Sequence, residues 1–346
     1  MSSLKKLLRS NFLIRLTNWE YWPFGIVQFP FFLYWLWLSL RARSIFFFSA
    51  SNPTITMGGM LGESKFDVLK LIPDQYKPKT IFVEHAATKD QVLDLLHQHH
   101  IELPVIFKPD IGERGFMVKR IFTESDIEVY LKKIQTDFLI QELVDLPVEC
   151  GVFYTRFPDE KDGQVTSVVL KEMLTVTGNG TSTLQELILD KPRAKLQLDV
   201  LRETHRDKIN LIIAKDQIVE LNAIGNHCLG TKFLSGEHLI NEKLSKAFDV
   251  ISKQIDGFYF GRFDLRCANV EDLYLGKVKI MELNGCGAEP AHIYHPGFSL
   301  WKALRVLATH WHNMFVISSQ NHKRGVPYIS FQEGKQLYQK FKMAVP

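Results

Sequence analysis

Cysteine is scarce in this sequence and never paired: Cys150, Cys228, Cys267 and Cys286 lie far apart and form no C-x-x-C motif. That spacing argues against a cysteine-ligated zinc site and against a disulfide framework, so reduced thiols in a cytoplasm are expected. A dominant charge is equally lacking. Lys and Arg total 42 against 38 Asp and Glu, a net charge of +4. A nucleic-acid binder needs a denser basic field, and nucleic acid is not an expected partner. Gly (21) and Pro (14) are too few for a fibrous or low-complexity chain. There is no internal repeat and no long disordered linker. Nor does "GNGTSTLQEL" carry the Gly-Lys-Ser/Thr ending of a phosphate loop, so it reads as a turn and a helix start.

What is present is a folded chain of 346 residues, 46% hydrophobic, long enough for one large domain or two ordinary ones. Its greasiest part is residues 22–40, "WPFGIVQFPFFLYWLWLSL", with eight aromatics and no charge, preceded by Lys5, Lys6, Arg9 and Arg15 and followed by Arg41 and Arg43. The length is borderline for a span, and Pro23, Gly25, Gln28 and Pro30 weaken a straight helix. Trp and Tyr favour the headgroup region and the flanking cations suit an anionic surface, so a helix or bent hairpin in the interface fits best. Burial against the rest of the protein or a dimer partner is the alternative. No small-residue cleavage site follows, which disfavours a signal peptide.

Downstream, Thr88 with Gln91 forms a capping box opening "KDQVLDLLHQHH". "LPVIFKPDIGERGFMVKRIF" reads as strand, glycine turn, strand, and "TESDIEVYLKKI" as a capped helix. Further strands and an amphipathic helix near "NEKLSKAFDVISKQI" complete an α+β pattern with mainly antiparallel sheet. The expected divisions are a membrane-associating segment over 1–52, a short αβ unit over 53–102, the main domain over 103–315 and a tail over 316–346.

Two groups of residues suggest chemistry. Lys108 ends the apolar run "PVIF" just before "GERG"; a strand lysine beside a turn rich in backbone N–H groups can hold phosphates, although such a lysine before a hairpin is common by chance. The second group is more specific. Strand alternation places Glu282 and Asn284 on one face, with Met281 and Leu283 on the other, and a neighbouring strand can bring Asp264 to the same point. All-oxygen donors in strands that otherwise read as buried suit Mg²⁺ sharing its shell with phosphates. The histidines of "HQHH" at 97–100 read as a solvated cluster at a helix end.

At this point the chain resembles the ATP-grasp ligases, closest to the D-alanine–D-alanine ligase and cyanophycin synthetase branch. The resemblance is carried by "VIFKPDIGERG", "LIQELVDLPVEC", "VVLKEM", "VTGNGTSTLQELI", "GRFDLR" and "MELNGCGAEP", in that order over residues 103–290. It implies an α+β ATP-grasp fold in which two subdomains clamp ATP. Lys108 and Lys171 would contact phosphates beneath a flap formed by Gly112, Glu113, Arg114 and Gly115. Gln141, Glu142 and Val144 would line the adenine pocket, and Glu149 would take the ribose hydroxyls. Asp264, Glu282 and Asn284 would hold Mg²⁺, with Mn²⁺ as a substitute, and Arg262 would steady the transferred phosphoryl group.

The implied activity is an ADP-forming carboxylate–amine or carboxylate–thiol ligase working through an acylphosphate. A kinase phosphorylating a hydroxyl and a non-catalytic membrane-bound nucleotide sensor are the alternatives. The usual N-terminal substrate domain is replaced by the aromatic segment, which favours another acceptor, lipid-linked or amphipathic. Arg266, Glu289, His292 and His295 are candidates to line its pocket. A cytoplasmic enzyme is expected, peripheral or monotopic on the inner membrane face through residues 22–40, with a homodimer left open.

Overall fold

Antiparallel pairing joins every strand of the computed structural model, which describes residues 10–112, 115–222 and 224–344. The smaller sheet has four strands in the order β1 (Thr80–Val83), β4 (Phe138–Glu142), β2 (Val105–Pro109), β3 (Lys119–Ile121). Alternation divides its two faces. Phe107, Phe138 and Ile140 pack under the helices Lys89–Gln98 and Glu124–Leu131, on Val92, Leu96, Ile127 and Tyr130. Both helices start at the capping boxes their sequences advertise, Thr88 with Gln91 and Thr123 with Asp126. Because β1 pairs with β4, the boundary expected at 102/103 falls inside this sheet.

The larger sheet runs β11 (Lys279–Asn284), β10 (Phe260–Cys267), β5 (Val148–Thr155), β6 (Gln164–Glu172), β9 (Lys232–Ser235). One face is apolar: Cys150, Val152, Val168, Phe263, Leu265 and Leu283 bury against Leu244, Phe248 and Ile251 of the helix Glu242–Lys253. Leu139 of the smaller sheet joins the same cluster and locks the sheets together. The other face is divided: Phe153 and Phe260 pack with Met314 and Ile317 at one end, and the charged side chains of the site occupy the rest. A two-stranded ribbon, β7 (Thr175–Thr177) with β8 (Ile218–Glu220), and three short helices over 184–204 form a separate small core.

The aromatic segment becomes a single helix, Phe24–Ala42, with Pro30 inside it, so the bent hairpin does not occur. Arg43 ends it in the left-handed conformation, and the N–H groups of Arg43 and Ser44 return to the carbonyls of Leu40 and Ser39. Val27 and Phe31 pack on Ala303 and Leu307 of the long helix Leu300–Lys323, which runs through the boundary expected after 315. Among the described residues no helix is long and apolar enough to cross a membrane.

Residues 47–52 are fully buried, and Asn52 is their anchor. Its amide donates to the carbonyls of Gly58 and Phe260, both at 2.8 Å, and its oxygen accepts from the N–H groups of Tyr259 and Phe260. The Gly58–Gly59 turn then receives the chain leaving β11, through Cys286 N–H to Gly58 O (3.0 Å) and Gly287 N–H to Gly59 O (2.8 Å). A Cβ on Gly59 would lie 2.6 Å from the Gly285 Cα, so only glycine allows this approach.

Candidate functional site

Pairing in the larger sheet places Asp264 opposite Glu282 and Arg262 opposite Asn284. On the other side of β10, Arg266 stands opposite Glu149. Lys171 of β6 completes the charged part of the face, and Glu149, Lys171 and Asp264 are all nearly inaccessible to water. Buried charges survive only when partnered, and these are. The Lys171 ammonium lies 3.3 Å from Asp264 Oδ1 and 3.4 Å from Glu149 Oε1. Arg262 Nη2 donates to Asp264 Oδ2 at 2.9 Å, Asn284 Nδ2 donates to the same oxygen at 2.9 Å, and Arg262 Nη1 donates to the Glu289 carbonyl.

Burial alone would raise the Asp264 pKa; Arg262 and Lys171 overcome it and hold the carboxyl down at about 2. Burial pulls the other way on Lys171, but Asp264 and Glu149 leave it raised. Both groups therefore stay charged at neutral pH.

Lys108 arrives from the smaller sheet. Its ammonium donates to Gln141 Oε1 (3.1 Å) and to the Met281 carbonyl (3.0 Å), while Gln141 Nε2 reaches the same carbonyl at 3.3 Å and Thr80 Oγ1 at 3.1 Å. The Met281 carbonyl is open to them because Asp264 pairs with Glu282 and Leu265 with Ile280, so Met281 is the extra residue of a β-bulge. Simple alternation would have turned Met281 into the core with Leu283; it is only half-buried. Among the described residues no carboxylate stands at contact distance from Lys108, and burial pushes its pKa down to about 8 against the pull of Glu282.

Two loop pieces meet beside the site. Gly112 and Gly115 both have positive φ, and Gly115 rests against Ile224 and Leu229 of the loop before β9. Lys65 donates to the Gly112 carbonyl and ties down the near end of the turn. Glu113 and Arg114 lie outside the described residues. Next to Ile224 in the loop before β9, Gly225 presses directly on the cluster: a Cβ there would sit 2.0 Å from Glu149 Oε1 and 2.9 Å from Lys171 Cδ.

Lys108, Gln141, Glu149, Lys171, Arg262, Asp264, Glu282 and Asn284 thus converge. Glu142 does not: it is exposed and accepts from the Lys79 N–H at 3.2 Å, pointing away. Val144 contributes its carbonyl, which accepts from Arg266 Nη1 at 3.1 Å. Arg266 sits at this end, donating from Nε (3.0 Å) and Nη2 (2.6 Å) to Glu149 Oε2, rather than at the acceptor end. Glu289 lies on the Arg262 side of the cluster, where its carboxylate accepts from Gln28 of the N-terminal helix and from the Tyr294 hydroxyl. His292 is buried on Ser167, and His295 accepts from the Ser235 N–H.

No group of three or more His, Cys, Asp or Glu side chains in metal-holding geometry occurs among the described residues. The donor set is instead two carboxylates and one amide. Asn284 donates its N–H to Asp264, leaving its carbonyl oxygen as an acceptor, and Glu282 is half-buried with no hydrogen bond to a described residue. Glu282 and Asn284 fit a hard cation that completes its shell with phosphate oxygens and water.

No family model and no curated protein matches this chain. Solved structures with partial likeness include a bifunctional glutathione synthetase from Pasteurella multocida, at 16% identity and TM-score 0.38, covering 75% of this chain and 38% of that one. A D-alanine–D-alanine ligase from Bacillus anthracis aligns at 13% and 0.44, covering 78% and 72%. The VanG D-Ala:D-Ser ligase from Enterococcus faecalis aligns at 11% and 0.44, covering 76% and 64%. Superpositions this loose decide nothing about the reaction, which has to be read from the site.

Proposed function

We propose that the chain is an ATP-dependent, ADP-forming ligase of the ATP-grasp type, joining a carboxylate to an amine or thiol. One observation carries the reading: Lys108 from one antiparallel sheet, and Lys171 and Arg262 from another, converge beside Asp264, Glu282 and Asn284. Three cations around a hard-oxygen donor set suit a polyphosphate with a divalent metal, and no side chain in the cluster is placed as a nucleophile. Glu282 and Asn284 would hold the Mg²⁺, with Asp264 joining as phosphates draw Lys171 and Arg262 off its oxygens. Bound there, the cation would neutralise charge on the phosphate oxygens.

In this reading Lys108 and Lys171 orient the triphosphate, and Gly112–Gly115 folds over it and excludes water. A substrate carboxylate oxygen bonds to the γ-phosphorus as the bridging β–γ P–O bond breaks and ADP leaves. An amine or thiol then attacks the acyl carbon, the acyl C–O bond breaks, phosphate leaves, and the nucleophile's proton passes to solvent. Arg262 faces the charge that develops in both steps. Gln141 and the Val144 carbonyl would face the base, and Glu149 the ribose once Arg266 and Lys171 share it.

The test is Mg²⁺-dependent release of ADP and phosphate from purified protein offered pooled amino acids, peptides and polar lipids, with Asp264→Ala and Lys108→Ala as controls. Release of both products, lost in both variants, supports a ligase. ADP without phosphate would replace it with a kinase, and absence of ATP binding would sink the assignment.

A further inference from the structure

One side of the helix Phe24–Ala42 is covered and the other is bare. Val27, Phe31 and Leu38 are buried, and Gln28 on that side bonds Glu289. At about 100° per residue, Ile26, Phe29, Leu33, Leu36, Trp37 and Leu40 fall on the opposite arc. All six are exposed, Leu40 at 78% and Phe29 at 63%. The preceding helix Asn11–Thr17 adds Phe12 and Leu16, also exposed. A continuous apolar stripe of about four turns needs a cover.

Charge selects that cover. Residues 1–62 contain six cations, Lys5, Lys6, Arg9, Arg15, Arg41 and Arg43, and a single acid, Glu20. Glu20 is buried against Arg193 at 2.6 Å and His227 at 3.1 Å, so it offers nothing to the rim. Arg15, Arg41 and Arg43 are exposed, and Arg41 is held beside the stripe by stacking over the Trp37 ring at 4.8 Å. A second copy would bring two basic rims together, and residues 1–62 hold no exposed acid among the described residues to pair them. Anionic headgroups supply the missing charge, while the acyl boundary accepts the Phe, Leu and Trp side chains.

We propose that this stripe docks the protein, lying flat, on an anionic bilayer surface. The helix does not span; its inner side is fixed to the long C-terminal helix. Gln28 on that inner side bonds Glu289, whose carbonyl holds Arg262. The Arg262 side of the site therefore stands roughly one helix diameter, about 10 Å, from the lipid.

The experiment is co-sedimentation of the full chain with vesicles of phosphatidylcholine alone, or with about one-third phosphatidylglycerol, at low and high salt. Binding to the anionic vesicles, weakened by salt and much lower on neutral ones, is expected. At about 1 kcal/mol per unit charge, reversing Arg41 and Arg43 (Arg41→Glu, Arg43→Glu) changes two charges at each position and should weaken it about thirtyfold each. Leu33→Glu with Leu40→Glu should abolish it while the melting curve stays native, both positions being exposed; if that pair unfolds, the arginine variants decide. Protein that stays in the supernatant, or that binds neutral and anionic vesicles equally, overturns the proposal. So does a lipid-free dimer that the leucine pair splits, because it would assign the stripe to a second copy. Sedimentation reads no nucleotide chemistry, so this result and the ligase assay stand or fall separately.

Discussion

Replacing Lys108 with methionine should stabilise the unliganded protein and weaken its hold on nucleotide. The ammonium is buried, and its pKa falls from the ordinary 10.5 to about 8. At pH 7 the fold therefore keeps a proton on a group that gives it up more readily than in the unfolded chain, at a cost of about 3 kcal/mol. Methionine removes that cost but also removes a donor. The Met281 carbonyl keeps Gln141 Nε2, whereas Gln141 Oε1 is left unsatisfied, costing about 1–2 kcal/mol. A net gain of about 1–2 kcal/mol at pH 7 follows.

The pH dependence isolates the cause. Between pH 8 and 10.5 the unfolded lysine holds a proton that the folded one has lost, so the native protein gains stability as pH rises, and the variant does not. Urea unfolding of both proteins from pH 7 to 10.5, with triphosphate binding measured alongside at pH 7, is the assay. The variant's advantage should shrink as pH passes 8 and vanish or reverse by 10.5, while its nucleotide affinity is lower throughout. A stability difference that does not change with pH would refute the reasoning, because it would mean that Lys108 is not desolvated.

Three further outcomes follow from the same geometry. Gly225→Ala places a methyl group against a carboxylate pinned by Arg266 and Lys171, so it should cost about 1–3 kcal/mol in chemical unfolding and weaken nucleotide binding, and an unchanged affinity would show that the loop yields freely. Asp264→Ala strands Lys171 and Arg262 in a buried site and should destabilise by about 3–5 kcal/mol besides ending turnover, as thermal melts and product assays would report. Asn52→Ala removes the side-chain partner of four backbone groups, of which the Gly58 carbonyl keeps the Cys286 N–H; a loss of about 3 kcal/mol or more in unfolding is expected, with triphosphate affinity retained in the folded fraction.

Short-range pattern made a large part of this chain readable. The capping boxes at Thr88 and Thr123 start helices because each is a local exchange of hydrogen bonds over three residues. Alternation alone put Glu282 and Asn284 on one face, and Gly112 and Gly115 take the positive φ that glycine permits. Other features depend on contacts between distant segments. Arg266 is a candidate to line the acceptor pocket when read along the chain, yet its long side chain takes Glu149 of the neighbouring strand and the Val144 carbonyl. Glu142 lies one residue from Gln141, and alternation turns it out to Lys79.

What the sequence by itself determined is the alphabet of the protein: antiparallel strands, their buried and polar faces, the cap and turn residues, and an aromatic segment with a basic border. Tertiary structure alone decided how these meet. The bulge that frees the Met281 carbonyl for Lys108, the approach of Gly225 to Glu149, and the contact of Gln28 with Glu289 join positions tens to hundreds of residues apart. Periodicity is a property of neighbours along the chain, whereas a site is set by which faces must be buried together, and that is decided only when the sheets and helices pack.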